Sequence, residues 1–330
     1  MATIYTYGEV LAEIMRLQPD VPLNQIAPFN GPYPSGAPAI FIDTAARLGH
    51  KTKIWAGIGN DKFGDCIIER LQKDGVDCKH LIRNDKTTAV AFVSYDSAGD
   101  REFIFHMGNT AADNFDFEAD EIVPDCFHVM GCSVMASESF KKGIEKAVTH
   151  YSALGSNISF DPNLRPELLK GRSFKEIAGK IMGKCTIFLP GVNELMLAAY
   201  DKISNIPEKE YDTTEIKKAA DKLFKEYTDM EIINVKLGSK GSVIFDSKGQ
   251  QVFIPVYDIT SKEPLVDATG AGDTFDATFV GAILEKKSLK EAGFLASKAG
   301  ALNIISLGGM ETELSRMNEK ILPIDDEFIL

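Results

Sequence analysis

The sequence predicts an α/β fold in which a mainly parallel sheet carries helices on both faces and a small β lid is inserted into the chain. Two observations predict the layers. Short apolar runs alternate with amphipathic helical stretches along most of the chain, and several of these elements stop at Gly or Pro. A third observation predicts the lid. In one region the alternation fails, and two strand-like runs follow each other with only a turn cluster between them.

Taken in order, Thr3–Gly8 reads as a strand and Leu11–Leu17 as an extended run. Residues Gln18–Pro38 are rich in Pro and Gly. Ala39–Leu48 has helical periodicity and Gly49 as its stop. Thr52–Ile58 reads as a strand, and Gly64–Lys73 as a helix ending near Gly75. Ala89–Tyr95 and Glu102–His106 form the hairpin that breaks the pattern, joined by Asp96-Ser97-Ala98-Gly99-Asp100. Phe127–Gly131 is an apolar candidate for a buried strand. A helix at Ser139–Leu154 leads to strands at Asn157–Asp161 and Thr186–Leu189, the latter ended by Pro190. Ile216–Tyr227 is helical, Glu231–Lys236 and Gly241–Asp246 are strands, and Ala271–Leu284 and Leu289–Ile304 are the last helices. We expect one domain over residues 1–330, with a discontinuous lid formed by 11–37 and 87–111. In sheets of this kind, ligands bind beyond the carboxyl ends of the strands.

The composition narrows the function. With 330 residues, 44% hydrophobic and 25% charged, the chain can bury a large core. A net charge of −12 argues against nucleic acid as a partner. No run approaches the roughly 18 uncharged apolar residues of a membrane span, and no secretion signal opens the chain. Five cysteines without a CxxC pair fit free thiols in a reducing cytoplasm, and the five histidines show no zinc spacing.

The segment with the clearest chemistry is Val266-Asp267-Ala268-Thr269-Gly270-Ala271-Gly272-Asp273-Thr274-Phe275. It runs into Asp276–Leu284, apolar nearly all round and therefore a buried helix. Gly270, Ala271 and Gly272 lie at its mouth, where the first backbone N–H groups lack intrahelical partners and the dipole is positive. Glycine lets a phosphate approach the backbone closely. Asp273, in the first turn beside this anion hole, is placed to take a proton from an attacking hydroxyl. An isolated aspartate there would more simply answer the helix dipole; the glycines around it favour chemistry.

Four motifs in order carry a wider resemblance. The Asp-Ala-Thr-Gly-Ala-Gly-Asp-Thr-Phe run resembles the C-terminal signature of the ribokinase-like (PfkB) carbohydrate kinases. Gly59-Asn60-Asp61-Lys62-Phe63-Gly64 is similar to their N-terminal signature. Phe160-Asp161-Pro162-Asn163-Leu164-Arg165 resembles a segment of fructokinases and 2-keto-3-deoxygluconate kinases, and Lys236-Leu237-Gly238-Ser239-Lys240-Gly241 the turn near the nucleotide.

The resemblance implies a three-layer α/β/α ribokinase-like fold and a kinase that transfers the γ-phosphoryl group of ATP to a sugar hydroxyl, with Mg²⁺. It implies Asp273 as general base and Gly270, Ala271 and Gly272 as anion hole. It places Lys236, Gly238, Gly241 and Asn303 at the nucleotide and Glu194 at Mg²⁺ through water. Asp267, with the Thr269 carbonyl, matches a monovalent-cation site of some members, which leaves K⁺ open. Glu13, Gly36, His106, Asp161, Asn163 and Arg165 are assigned to the sugar. His106 stands where keto-deoxygluconate kinases often carry a cation that grips a carboxylate, and its loss favours a neutral ketohexose of fructose or tagatose type. Keto-deoxygluconate is the alternative. The lid leaves a homodimer through its strands open.

Three rival readings fare worse. A dinucleotide-dependent oxidoreductase needs GxGxxG after the first strand, and a P-loop kinase needs GxxxxGK[ST]; neither is present. A non-catalytic sugar sensor on the same scaffold would be expected to lose the base or the anion hole, and both are intact.

Overall fold

The structure, a computed structural model, describes residues 1–96, 101–113, 116–165, 171–201 and 212–318. The turn expected at 97–100 lies outside these residues. The described strands are β1 (Thr3–Tyr7), β2 (Leu11–Arg16), β3 (Phe29–Ser35), β4 (Lys51–Gly59), β5 (Leu81–Asn84), β6 (Ala89–Tyr95), β7 (Arg101–His106), β8 (Cys126–Met130), β9 (Asn157–Asp161), β10 (Ile187–Phe188), β11 (Ile232–Lys236), β12 (Ser242–Asp246) and β13 (Gln251–Ile254). The described helices are α1 (Ala37–Arg47), α2 (Lys62–Lys73), α3 (Gly131–Ala136), α4 (Glu138–Ala153), α5 (Phe174–Met182), α6 (Val192–Tyr200), α7 (Thr213–Glu226), α8 (Ala271–Leu284) and α9 (Leu289–Asn303).

The central sheet runs in the order β13-β12-β11-β10-β9-β8-β1-β4-β5. It is parallel from β5 to β11, and β12 and β13 continue it antiparallel. The period of two along each strand sends side chains to opposite faces. On β1, Ile4 enters a core with α1, α2, α8 and α9, while Tyr5 and Tyr7 enter a second core with α3 to α7. These two cores are the interfaces between the central sheet and the helical layer on each face.

Helix ends follow local chemistry. Asp61 caps α2 by accepting the Gly64 N–H, Ser173 and Glu176 form a capping box on α5, and Ser288 and Glu291 do so on α9. α8 differs from the amphipathic helices. Asp273, Thr274 and every residue from Asp276 to Ala282 are buried, so it runs through the interior and only its mouth opens to a site.

The lid is a four-stranded sheet, β3-β2-β6-β7. β2 pairs β6 in parallel and the outer pairs are antiparallel. Asp61 ties it to the body: Oδ2 accepts the Thr88 N–H at 2.7 Å and Oδ1 the Thr88 hydroxyl at 2.7 Å. β3 lies in the Pro- and Gly-rich stretch and contains the cis Gly31–Pro32 bond. It is an edge strand, where a missing N–H costs no ladder bond, which is why proline content concealed it in the sequence. β5, β13, α5 and α6 were also unread, the strands being short and α6 beginning directly at Pro190-Gly191.

Candidate active site

A cavity of about 300 Å³ lies between the lid and the carboxyl end of the sheet. The β1–β2 connection brings Glu9 to it and β2 brings Glu13. The α1 mouth contributes Gly36, β7 contributes Arg101, Phe103 and Phe105, α3 contributes Cys132, and the turn after β9 contributes Arg165. The α8 mouth closes the cavity with Thr269, Gly270 and Asp273.

At that mouth, Gly270 caps α8 with φ 80°. A Cβ there would lie 2.9 Å from the Cα of Gly309, so only glycine permits this approach. Gly272 has open space where a Cβ would point. By their place in the first turn, the N–H groups of Gly272 and Asp273 have no intrahelical partner. The Ala271 N–H, expected in the anion hole, is taken by the Ala268 carbonyl at 3.3 Å, so the free donors beside the Asp273 carboxyl are those of Gly272 and Asp273.

The Asp273 carboxyl is buried and its Oδ1 accepts the side-chain N–H of Asn163 at 3.3 Å. Burial, then repulsion from Asp161, raises it to about 7, against the opposing pull of Lys236 and Arg165. A carboxyl at this value is a neutral-pH base. Since the carboxylate is the active form, kcat/KM should fall about tenfold per pH unit below about 7 and level off above it, which a pH–rate profile checks. An acid limb near pH 4 would contradict this.

Glu13 is 2% exposed, and its Oε2 has no partner among the described residues. Burial raises its carboxyl to about 7, helped by Asp267 and opposed by the Ser35 hydroxyl and Arg101. An unanswered buried acceptor facing a cavity suits a ligand hydroxyl. Gly36, at φ 110°, lets the wall pass: a Cβ would stand 2.7 Å from the Glu9 carbonyl.

Behind the Asp273 carboxyl lies a buried ionic cluster. Lys236, at the end of β11, bonds Asp161 at 3.0 Å and Asp276 at 2.8 Å. Asp161 Oδ1 accepts the Asn163 N–H at 3.0 Å, holding the turn that carries Arg165. Glu194 accepts the Leu164 N–H at 2.7 Å and the Gly191 N–H at 2.6 Å, which fixes its carboxyl between the β9 turn and the α6 mouth. Gly238 opens the turn that ends at Gly241, on the β11–β12 connection.

Two further assignments change. His106 does not join this cavity. Arg101, Phe103 and Phe105 face inward, so period two turns His106 outward, to a second cavity with Phe92 and Lys62. Asn303 is fully buried and does not line either cavity. Its side-chain N–H groups go to the Gly309 carbonyl at 3.1 Å and the Thr312 hydroxyl at 2.9 Å, which seats the turn that packs on Gly270. Asp267 accepts the Tyr95 hydroxyl at 2.9 Å, the Thr269 N–H at 2.8 Å and the Gly308 N–H at 2.9 Å. With three donors on its two oxygens it braces the lid and two loops. Glu9, Arg101, Phe103, Phe105, Cys132 and Asp276 were absent from the expected site. Alternation along Arg101–His106 was the available signal for the β7 residues.

The family profile described as pfkB family carbohydrate kinase matches residues 1–315. The chain is 28% identical over 275 residues to 2-dehydro-3-deoxygluconokinase of Bacillus subtilis (strain 168), covering 81% of this chain and 79% of the relative. It is 29% identical over 327 residues to Fructokinase-1 of Oryza sativa subsp. japonica, covering 93% of each. A solved structure of a ribokinase II candidate from E. coli, in complex with ATP and Mg²⁺, superposes with a TM-score of 0.79 at 32% identity, covering 94% of this chain and 96% of that one.

Proposed function

Because this chain belongs to the pfkB family of carbohydrate kinases, we propose that it transfers the γ-phosphoryl group of ATP, taken with Mg²⁺, to a hydroxyl of a neutral ketohexose of the fructose or tagatose type. One observation carries the reading: Thr269, Gly270 and Asp273 of the α8 mouth line the same small cavity as Glu13, whose Oε2 has no partner among the described residues.

In this reading the sugar lies between Glu13 and Asp273, with Phe103 and Phe105 of the lid over it. Asp273 takes the proton as the hydroxyl oxygen attacks. The N–H groups of Gly272 and Asp273 hold the charge on the transferring group, where positioning and electrostatics dominate the barrier. Mg²⁺ supplies charge neutralisation on the β- and γ-phosphates. Glu194 would help to hold it, and the nucleotide would lie toward the Gly238–Gly241 turn. The lid over the cavity limits water as a competing acceptor.

The charge balance supports a neutral sugar. The cavity wall sets three carboxyl groups, Glu9, Glu13 and Asp273, against two guanidiniums, Arg101 and Arg165. Arg101 also donates to the Thr269 hydroxyl at 3.2 Å. The carboxyls outnumber the guanidiniums and Arg101 is already engaged, which favours recognition of hydroxyls over that of a carboxylate. The second reading, a 2-keto-3-deoxy sugar acid, draws on the inward placement of both arginines. An ATP-coupled panel of fructose, tagatose and 2-keto-3-deoxygluconate separates them. We expect a ketohexose to lead by about tenfold or more in kcat/KM. The reverse order would make Arg165 and Arg101 a carboxylate clamp.

We also infer self-association through the lid. Its outer face exposes Phe29 and Ile104, and β3 and β7 are edges. Sedimentation at micromolar concentration should give a dimer that Ile104→Glu dissociates; a wild-type monomer would count against it.

A further inference from the structure

α8 is apolar for most of its length, yet Asp276 lies fully buried one turn after Asp273. A carboxylate inside an apolar helix is costly unless a cation and hydrogen bonds answer it. Lys236 gives that answer, 2.8 Å from Asp276 Oδ2 and 3.0 Å from Asp161 Oδ2. Two acceptors thus hold an ammonium with three protons, and the lysine side chain remains 21% exposed.

The contacts continue. Asp161 Oδ1 accepts the Asn163 N–H at 3.0 Å. Asn163, at φ 39°, presents its side-chain N–H to Asp273 Oδ1 at 3.3 Å. A closed polar chain therefore runs from Asp276 through Lys236, Asp161 and Asn163 to Asp273. Its two ends are neighbours on one helix. Such a ring over-determines the position of the carboxyl at its open end, because the helix and the β9 turn each hold it.

We propose that Asp276 is a positioning residue for phosphoryl transfer, anchoring Lys236 and, through Asp161 and Asn163, the Asp273 carboxyl. It acts through Lys236 and touches neither sugar nor nucleotide. The inference rests on Asp273 as the base. The charged groups that bear on Asp273 are Asp161 on β9, Lys236 on β11, Arg165 on the following turn and Glu9 beside β1, with Glu194 of α6 and Asp276 of α8 behind them. Among these, Lys236 favours the ionised base. If Lys236 loses its anchor and drifts, the repulsion from Asp161 is less compensated, and the base is ionised only at higher pH.

The test is the kcat–pH profile of Asp276→Ala, Lys236→Met, the double variant and Asp276→Asn. Each of the first two should move the acid limb upward by about half a unit or more and lower kcat roughly tenfold. The double variant should do no more than Lys236→Met alone, because both act through one ammonium. Asp276→Asn keeps an oxygen for that ammonium and should stay near the parent profile. An unmoved limb in Asp276→Ala, accompanied only by a lower Tm, would overturn the proposal, as would additive effects in the double variant. Should Asp276→Ala not fold, Asp276→Leu fills the same volume and enters the same cycle. Loss of turnover in Asp273→Asn together with an unmoved limb here would sink this inference and leave the base intact.

Discussion

Asp273→Asn is expected to lower kcat by roughly 10²–10⁴-fold while ATP binds within a few-fold of the parent. The side chains have nearly the same shape, so the Asn163 contact and the fold survive. An amide oxygen, however, cannot take the hydroxyl proton. The anion hole is made of backbone N–H groups and is untouched, so nucleotide affinity persists. Stability should move the other way. The Asp273 carboxyl is raised to about 7 from 3.8, so its contribution is complete at low pH and is lost as pH rises through the folded value. At pH 8 the parent holds an ionised buried carboxylate and the variant does not. Thermal unfolding at pH 8 should therefore find the variant at least as stable, the usual pairing of a strained site with lost activity. Near-normal turnover would remove Asp273 from the role of base.

Gly270→Ala is expected to damage both fold and rate. At φ 80° an alanine adopts a left-handed conformation costing roughly 1–2 kcal/mol. Its Cβ would also press on Gly309 at 2.9 Å. Gly309 cannot retreat freely, because its carbonyl accepts from Asn303 and the adjacent Gly308 N–H is held by Asp267. The mouth of α8 must shift instead. Displacing an anion-hole donor costs about 10²–10³-fold in kcat. Gly272→Ala separates the two effects. Its Cβ meets no protein atom, and alanine is favoured over glycine in a helix by about 1 kcal/mol. That variant should melt no lower than the parent yet bind ATP more weakly, because the methyl group occupies the space left for phosphate. Calorimetric melting and nucleotide titration of both variants measure this; unchanged ATP affinity in Gly272→Ala would place the phosphate elsewhere.

The α8 motif was legible because its chemistry is local. Consecutive residues make the helix mouth, so the proposed anion hole and base come from Gly270, Gly272 and Asp273 in one stretch of chain. The alternating layers were legible for the same reason, since periodicity is a property of neighbours. His106 was misplaced because a strand has two faces, and which one meets the cavity depends on how β7 lies over the sheet. Asn303 and Asp267 are placed at ligands by the family resemblance, which does not say what else surrounds them in this chain. In the folded chain, the loop at Gly308–Thr312 and the lid hydroxyl of Tyr95 reach them first.

The sequence by itself therefore determined the family, the layer order and the residues at the α8 mouth, all carried by short-range pattern. Only the tertiary structure decided what stands around that mouth. Lys236 meets Asp276 and Asp161 across 40 and 75 residues of chain, and Tyr95 meets Asp267 across 172. Burial raises the Asp273 and Glu13 carboxyls, an effect of the surrounding protein that no neighbouring residue in sequence encodes. Reaction type follows from an arrangement that the backbone builds locally. The choice of sugar depends on a cavity whose walls come from the lid, α1, α3 and the β9 turn, and such a cavity has no counterpart in any single stretch of sequence.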